Sequence, residues 1–469
     1  MVPLTRHDIG ARPHLSLPAW PVAMEELEAY HEEIGRIFGL NASSFEEDLL
    51  DDLDRQGLFP RADRDFSCRW MKWLPPKRRN LAVLLKREID RLPNLQIWLG
   101  ATVLGFGLDR ESARLASVQA GDLGGRRLTV SADEFILAAG AIESTRLLLL
   151  LDRASDERAF ERCSVLGRYF QDHLDADVGR LEPIDKATTS RLFGTHYTGD
   201  LRRSLHLELT PEAQRHGMSA SAFAHVTGDL LDHRSFKRMS AVLRGPERES
   251  EWTWDAIRDL ARDGSELVRI GSWRFLRRQL YYPKGVPLRL RVCIEQIPDW
   301  ANRICLSGET DRLGIPKVRL IWRPGEAEER TFRTSIAALS SYWRRAGFDR
   351  ICPIRWSEAS KDRSRPIADG ALDWAHPSGT TRMGTDPATS VVDPNLQCHH
   401  VANVSVASAS VFPTAGSSNP TMTIAQLALR LADRKLGRAP AKAAAPQHRI
   451  SFEPAGLAMA HPTDASSHP

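Results

Sequence analysis

The sequence predicts a protein of mixed α/β and α+β class with two lobes, one an open sheet with helices and the other built on an antiparallel sheet. Three observations carry this. An apolar run, "FILAAG" over 135–140, ends in Gly140 and leads into the helical "AIESTRLLLLLDR". Strand, tight turn and helix in that order is how open α/β sheets bring ligands to their strand ends. Between 176 and 365 the pattern changes to short alternating runs, as in "LRLRVCIEQ". There Leu288, Leu290, Val292 and Ile294 share one face, opposite Arg289, Arg291, Cys293 and Glu295. Finally, "NPTMTIAQLALRLADRKLG" reads as a closing helix, apolar nearly all round and therefore buried.

Taken in order, residues 1–93 form an N-terminal segment packing between lobes, with Leu27, Tyr30, Ile34, Ile37 and Phe38 at helical spacing in "MEELEAYHEEIGRIFGL". Residues 94–175 open the first lobe: "LQIWLGATVLGFGL", "RLASVQAG" and "RRLTVSADEFILAAG" predict a short antiparallel meander. Residues 176–365 are the second lobe, with strands at "LHLEL", "SAFAHV", "LRLRVCIEQ", "RICLS" and "KVRLIW" and a long helix at "EAEERTFRTSIAALSSYWRRAGF". Residues 366–437 return to the first lobe. The tail, 438–469, is Ala- and Pro-rich and low in large apolar residues, which predicts disorder.

Composition narrows the function classes. The 469 residues carry 64 Lys+Arg against 60 Asp+Glu, so a net charge of +4 calls for neither nucleic acid nor an acidic partner. Six cysteines with no CxxC pair argue against a disulfide framework or a zinc site and fit a reducing, cytoplasmic setting. The longest leucine run, 147–151, is far too short to span a bilayer, and the first twenty residues carry no signal-peptide pattern.

The stretch richest in chemistry is "HPSGTTRMG", 376–384, which sets His376 before a proline and small hydroxyl residues. In the closing helix Asn419 suits the N-cap, Pro420 the first helical position and Gly437 the stop. A buried helix start leaves N–H groups at Thr421 to Thr423 in need of a carbonyl or anionic partner. Cys398-His399-His400 is not read as a metal site, because adjacent side chains rarely converge on one ion. Asp172 and His173 read as structural residues at a surface turn. "VRIGSWRFLRRQLYYPKG" reads as a solvated helix face over the substrate entrance, ahead of a membrane or single-stranded nucleic-acid surface.

Together "HPSGTTRMG", "VVDPNLQ", "VANVSVASASVFPTAGSSNPTMTIAQLALRLAD" and "FILAAGAIESTRLLL" resemble the glucose–methanol–choline (GMC) oxidoreductases. "GRYFQDH", "EQIPDWANRICLS" and "DRLGIPKVRLIW" extend the likeness from about 15 to 437 in the family's order. The resemblance implies an FAD-binding Rossmann-like lobe and a substrate-binding lobe. It implies a flavin-dependent oxidation of an alcohol, a sugar or polyol among the candidates, by proton abstraction and hydride transfer to FAD. His376 matches the family's active-site base and Asn419 its hydrogen-bonding partner. A neutral histidine, with an ordinary pKa of about 6.5, can accept the hydroxyl proton near neutrality. The helix beginning at Asn419 would aim its positive end at the flavin. By the same likeness Val103 meets the adenine, Ala139 and Gly140 line the cofactor, and Ser408, Ala409, Pro420 and Thr421 adjoin the flavin. Ser408 stands where many family members carry an acid.

One departure counts. The family opens with a strand–GxGxxG–helix element that cradles the FAD pyrophosphate. No such element occurs here: Gly105 and Gly107 are followed by Arg110 where the third glycine should fall. Met1 sits where an internal residue of the family is expected, which predicts a late-called start, a truncation, or a partner chain carrying the missing element. Two rival readings follow: a catalytically impaired lobe acting as a binding or regulatory protein, and a hydrolase pairing His376 with Ser378 or Ser417.

Overall fold

The computed structural model describes residues 1–40, 44–46, 57–109, 113–229, 264–283 and 285–438. The expected disordered tail lies, beyond its first residue, outside the described residues, as does Arg110.

The larger lobe is an eight-stranded sheet whose main path runs Phe66–Trp73, Leu201–Leu209, Ala222–Gly228, Leu288–Ile294, Leu174–Leu181 and Ile354–Trp356, every pairing antiparallel. Strand Leu288–Ile294 buries Leu288, Leu290, Val292 and Ile294 as its alternation predicts; on the opposite face Arg289 and Arg291 are partly exposed, but Cys293 and Glu295 are fully buried, so the alternation ends after Arg291. Helix Glu326–Arg345 covers the buried face with Phe332, Leu339, Tyr342 and Trp343. "RICLS" and "KVRLIW" depart from the expected single sheet. They form a separate hairpin, Arg303–Thr310 with Pro316–Ile321, held to the smaller lobe through Ile304 N–H to Gly167 O at 2.8 Å.

In the smaller lobe the meander forms as expected from Thr102–Asp109, Arg114–Gly121 and Arg127–Ser131. Residues 95–99, expected to begin it, are exposed and carry no strand. Phe135–Leu137 leaves the meander and pairs in parallel with Val404–Val406. Among the described residues the other edge of Phe135–Leu137 pairs with no strand. At Gly140, with φ of +79°, the chain turns into the helix Gly140–Ala154, which no side chain caps.

The N-terminal segment ties the lobes together. Its expected single helix is broken into Met24–Glu28 and His31–Phe38, and Leu27 packs in the core of the smaller lobe. Tyr30, Ile34 and Phe38 pack on Met422 of the closing helix and on Leu201 of the large sheet. The closing helix spans Thr421–Lys435 and is buried on one face rather than all round: Met422, Leu427 and Leu431 are inside, Thr421 is exposed. Gly437, φ +63°, ends it as expected. No helix among the described residues is long and apolar enough to cross a membrane.

Candidate functional site

Residues 376–384 are pinned from both sides. On one flank Ser378 N donates to Gln171 O at 2.9 Å and Gln171 N returns the bond to Ser378 O at 3.1 Å. On the other, Gly379 N, Thr381 N and Met383 N donate to the carbonyls of Ala409, Ser410 and Val411. Gly379 makes the closest approach: φ is +89°, and a Cβ there would lie 2.3 Å from Tyr169 O. Small residues in this run therefore serve backbone proximity, which a larger side chain would prevent.

That stitching sets His376 at the meeting point of three segments. Its Nε2 lies 3.2 Å from Asn419 Nδ2, so the two principal candidates converge. The helix cap predicted for Asn419 does not form. Pro420 occupies the cap position without a side-chain bond, and the Asn419 amide turns toward the imidazole instead. Asn419 Oδ1 is buried without a hydrogen-bond partner, as is Ser378 Oγ.

Behind His376 lies a pair that the sequence reading misplaced. Asp172 and His173, expected at a surface turn, are buried at 4% and 1% exposure. The Asp172 carboxylate accepts from His173 N at 2.7 Å and from His376 N at 2.9 Å. His173 Nδ1 lies 2.9 Å from His376 Nδ1, with the rings nearly perpendicular, and its Nε2 is 2.7 Å from Gly416 O. Burial pushes His376 down to about 3, with neighbouring His173 acting in the same direction. Burial likewise pushes His173 down to about 4, against the bond to Gly416. It raises Asp172 to about 6 in spite of the two N–H groups. Both imidazoles are neutral at neutral pH. Burial of a reactive pair is invisible to local periodicity; the adjoining acid and base in "QDH" were the available signal.

The remaining candidates occupy two places. Val103 and Ala139 line one cavity of about 220 Å³, with Glu143, Arg146 and two leucines. Gly140 lies beside it at the uncapped helix start, with open space at its Cβ position. Ala409 joins the 376–384 segment through its carbonyl, and Pro420 and Thr421 begin the closing helix beside Asn419. Ser408 turns inward: its Oγ is 2.5 Å from Ser410 Oγ and accepts from Ser410 N. Neither serine of the hydrolase reading contacts His376. Ser417 Oγ pairs with Ser221 Oγ at 3.1 Å, and both ring nitrogens of His376 face other groups. His399 and His400 diverge, the first toward Ser390 and Gly384 O, the second toward Pro387 O.

Several known proteins are similar to this chain in sequence. The paromamine 6'-oxidase of Streptomyces fradiae is 32% identical over 150 residues, 32% of this chain and 26% of that protein. The 2-methyl-1,2-propanediol dehydrogenase of Mycolicibacterium austroafricanum is 23% identical over 453 residues, 88% of this chain and 74% of that protein. An alcohol dehydrogenase (acceptor) of Pseudomonas putida is 45% identical over 82 residues, 17% of this chain and 15% of that protein. The match thus spans about a quarter of the paromamine oxidase's length. Residues 298–428, which hold both His376 and Asn419, match the family described as GMC oxidoreductase. By that match residues 298–428, the part of the chain that carries both candidate residues, are those of a GMC oxidoreductase.

Proposed function

We propose that the chain serves a flavin-dependent oxidation of an alcohol in which His376 accepts the hydroxyl proton and Asn419 orients the oxygen. The observation that carries this is the 3.2 Å separation of His376 Nε2 from the Asn419 amide. A hydroxyl oxygen placed against both can donate its proton to the imidazole while accepting from the amide. General-base assistance of this kind contributes about 10²–10⁴-fold. The amide then meets the negative charge that develops on oxygen as the proton leaves. Names of relatives agree in kind, being oxidases and dehydrogenases of alcohols and sugars.

The residues fit FAD. Buried Asn419 Oδ1 and Ser378 Oγ, both without partners, offer hydrogen-bonding groups for a polar ring edge. The cavity at Val103 and Ala139 is a recess where a second ring system would lie, and the open N-terminus of helix Gly140–Ala154 favours negative charge beside it. In this reading Val103, Ala139 and Gly140 hold the nucleotide end, and Ala409, Pro420 and Thr421 adjoin the flavin end. When bound, the flavin supplies the acceptor for the hydride leaving the alcohol carbon. The chain's own part is to hold the hydroxyl and take its proton at Nε2, with the Trp374 ring packed edge-on against the imidazole.

The test is anaerobic mixing of the flavin-loaded protein with simple alcohols, polyols and sugars, followed by loss of the visible flavin band. Bleaching by at least one alcohol is expected, and its absence with every donor would overturn the reading. A second reading, a lobe that needs a partner chain to retain its cofactor, draws on one observation: among the described residues one edge of Phe135–Leu137 pairs with no strand, and the sequence has no GxGxxG run. Full flavin retention by the purified chain through gel filtration would exclude it.

A further inference from the structure

We infer that His173 is a positioning residue that fixes the tautomer of His376, holding its proton on Nδ1 and leaving Nε2 bare. The inference rests on the reading of His376 as proton acceptor, but its chain of reasoning starts elsewhere, at a group with only one hydrogen-bonding role. The carbonyl of Gly416 can only accept. His173 Nε2, 2.7 Å away, therefore carries a hydrogen and donates. A neutral imidazole with Nε2–H has its lone pair on Nδ1. His376 Nδ1 stands 2.9 Å from that lone pair and must be the donor. Neutral His376 is thereby left with a lone pair on Nε2, the nitrogen that faces Asn419. Asn419 completes the series by presenting its amide N–H rather than its oxygen, and the unpartnered Oδ1 is what this orientation leaves over.

Each link is held by the backbone. Asp172 Oδ1 accepts from the main-chain N–H of both histidines, so neither ring can drift along the other. The rings are perpendicular at 86°, with centroids 5.0 Å apart, which excludes stacking and suits an in-plane N–H aimed at an in-plane lone pair. Gly416 is itself fixed, because its N–H donates to Glu295 Oε1 at 2.9 Å. With the opposite tautomer, His376 would place N–H on Nε2 and two lone pairs would face each other across 2.9 Å. Substrate deprotonation then balances simply: the O–H bond breaks, Nε2–H forms, and Nδ1–H stays bonded to His173. Where a partner holds a catalytic imidazole in the right tautomer, its loss can lower turnover by up to about 10⁴-fold.

The decisive measurement is the imidazole ¹⁵N spectrum of the full chain labelled at histidine, at neutral pH, with His376 assigned by its disappearance in His376→Gln. Wild type is expected to show His376 protonated at Nδ1 and bare at Nε2; the reverse assignment overturns the inference. In His173→Leu the preference for Nδ1–H should be lost. In His173→Asn, whose side-chain oxygen can stand where Nδ1 stood, it should persist. An unchanged tautomer in a folded His173→Leu protein also overturns it, and if that variant does not fold, wild type and His173→Asn still decide. Flavin reduction gives a second readout, expected to fall about 100-fold in His173→Leu and to recover largely in His173→Asn. Should the spectra behave as stated while no alcohol reduces the flavin, the proposed function fails and the tautomer assignment stands.

Discussion

Arg12 and Glu295, 283 positions apart, form a two-pronged ion pair in which neither side chain is exposed at all, and Arg12 Nη2 lies 2.8 Å from Glu295 Oε1. The carboxylate also accepts from Gly416 N at 2.9 Å and Ser221 N at 3.3 Å. One acid thus joins the N-terminal segment, the end of a large-sheet strand and the loop that precedes Asn419. Removing one partner of a buried pair strands a charge, which costs about 3–5 kcal/mol. Arg12→Met should lose that much in urea unfolding. Arg12→Met with Glu295→Gln should recover part of it, since the glutamine oxygen can still accept from Gly416 N without carrying charge. A double variant no more stable than the single one would mean that charge burial is not the cause.

For the reacting pair, His376→Ala should slow flavin reduction by about 10²–10⁴-fold while leaving the flavin spectrum in place. Asn419→Ala should cost about 10²–10³-fold, because it removes a donor to the developing oxyanion. The two losses should not add, since both act on the same hydroxyl. Stopped-flow reduction of the single and double variants measures this, and a simple product of the two effects would separate their roles.

Gly379 and Gly347 make a matched comparison. Both have left-handed backbone, φ +89° and +71°, but only at Gly379 does a Cβ meet main chain, Tyr169 O at 2.3 Å. Nothing lies within 4 Å of that position at Gly347. Alanine at 347 should cost only the conformational strain, about 1–2 kcal/mol. At 379 a further 1–3 kcal/mol of overpacking should add, along with displacement of His376 three residues away. Equal shifts in the unfolding midpoints would show that the loop yields.

Much of this architecture was legible because it is written locally. "FILAAGAIESTRLLL" gives strand, Gly140 and helix from its own composition, and the alternation in "LRLRVCIEQ" assigns the buried face correctly. The approach of His376 to Asn419 came from family likeness rather than from spacing. What local pattern could not show is how a side chain divides its loyalties. Asn419 has ideal chemistry for a helix cap, yet its amide faces an imidazole 43 positions earlier, because the 376–384 segment is stitched beside it. Asp172 and His173 looked like turn residues for the same reason: polarity suggested solvent, while three converging segments bury them. The hairpin of Arg303–Thr310 had strand-like residues but nothing to say which sheet it would avoid.

The last prediction concerns acid. His196 is buried against Trp70 and Phe59, with Gln279 Nε2 3.0 Å from its ring Nε2, and burial holds its pKa down at about 4, helped by the nearby Arg203 and Arg191 charges. An unfolded histidine titrates near 6.5, so between those two values the unfolded chain binds the extra proton. His196 therefore contributes stability that is complete above about pH 6.5 and is lost as pH falls toward 4, roughly 2 kcal/mol of it gone at pH 5. His173, His206 and His376, also pushed down by burial, act with the same sign. Asp172, raised to about 6, acts oppositely, its share being present at low pH and lost as pH rises through that value. The histidines outnumber it, so the urea midpoint should fall between pH 7 and pH 5. In His196→Asn, which keeps a hydrogen-bonding side chain but cannot ionise, the fall should be smaller by about 2 kcal/mol. The same decline in both proteins would mean that His196 takes up no proton on unfolding and that its neutrality is not imposed by the fold.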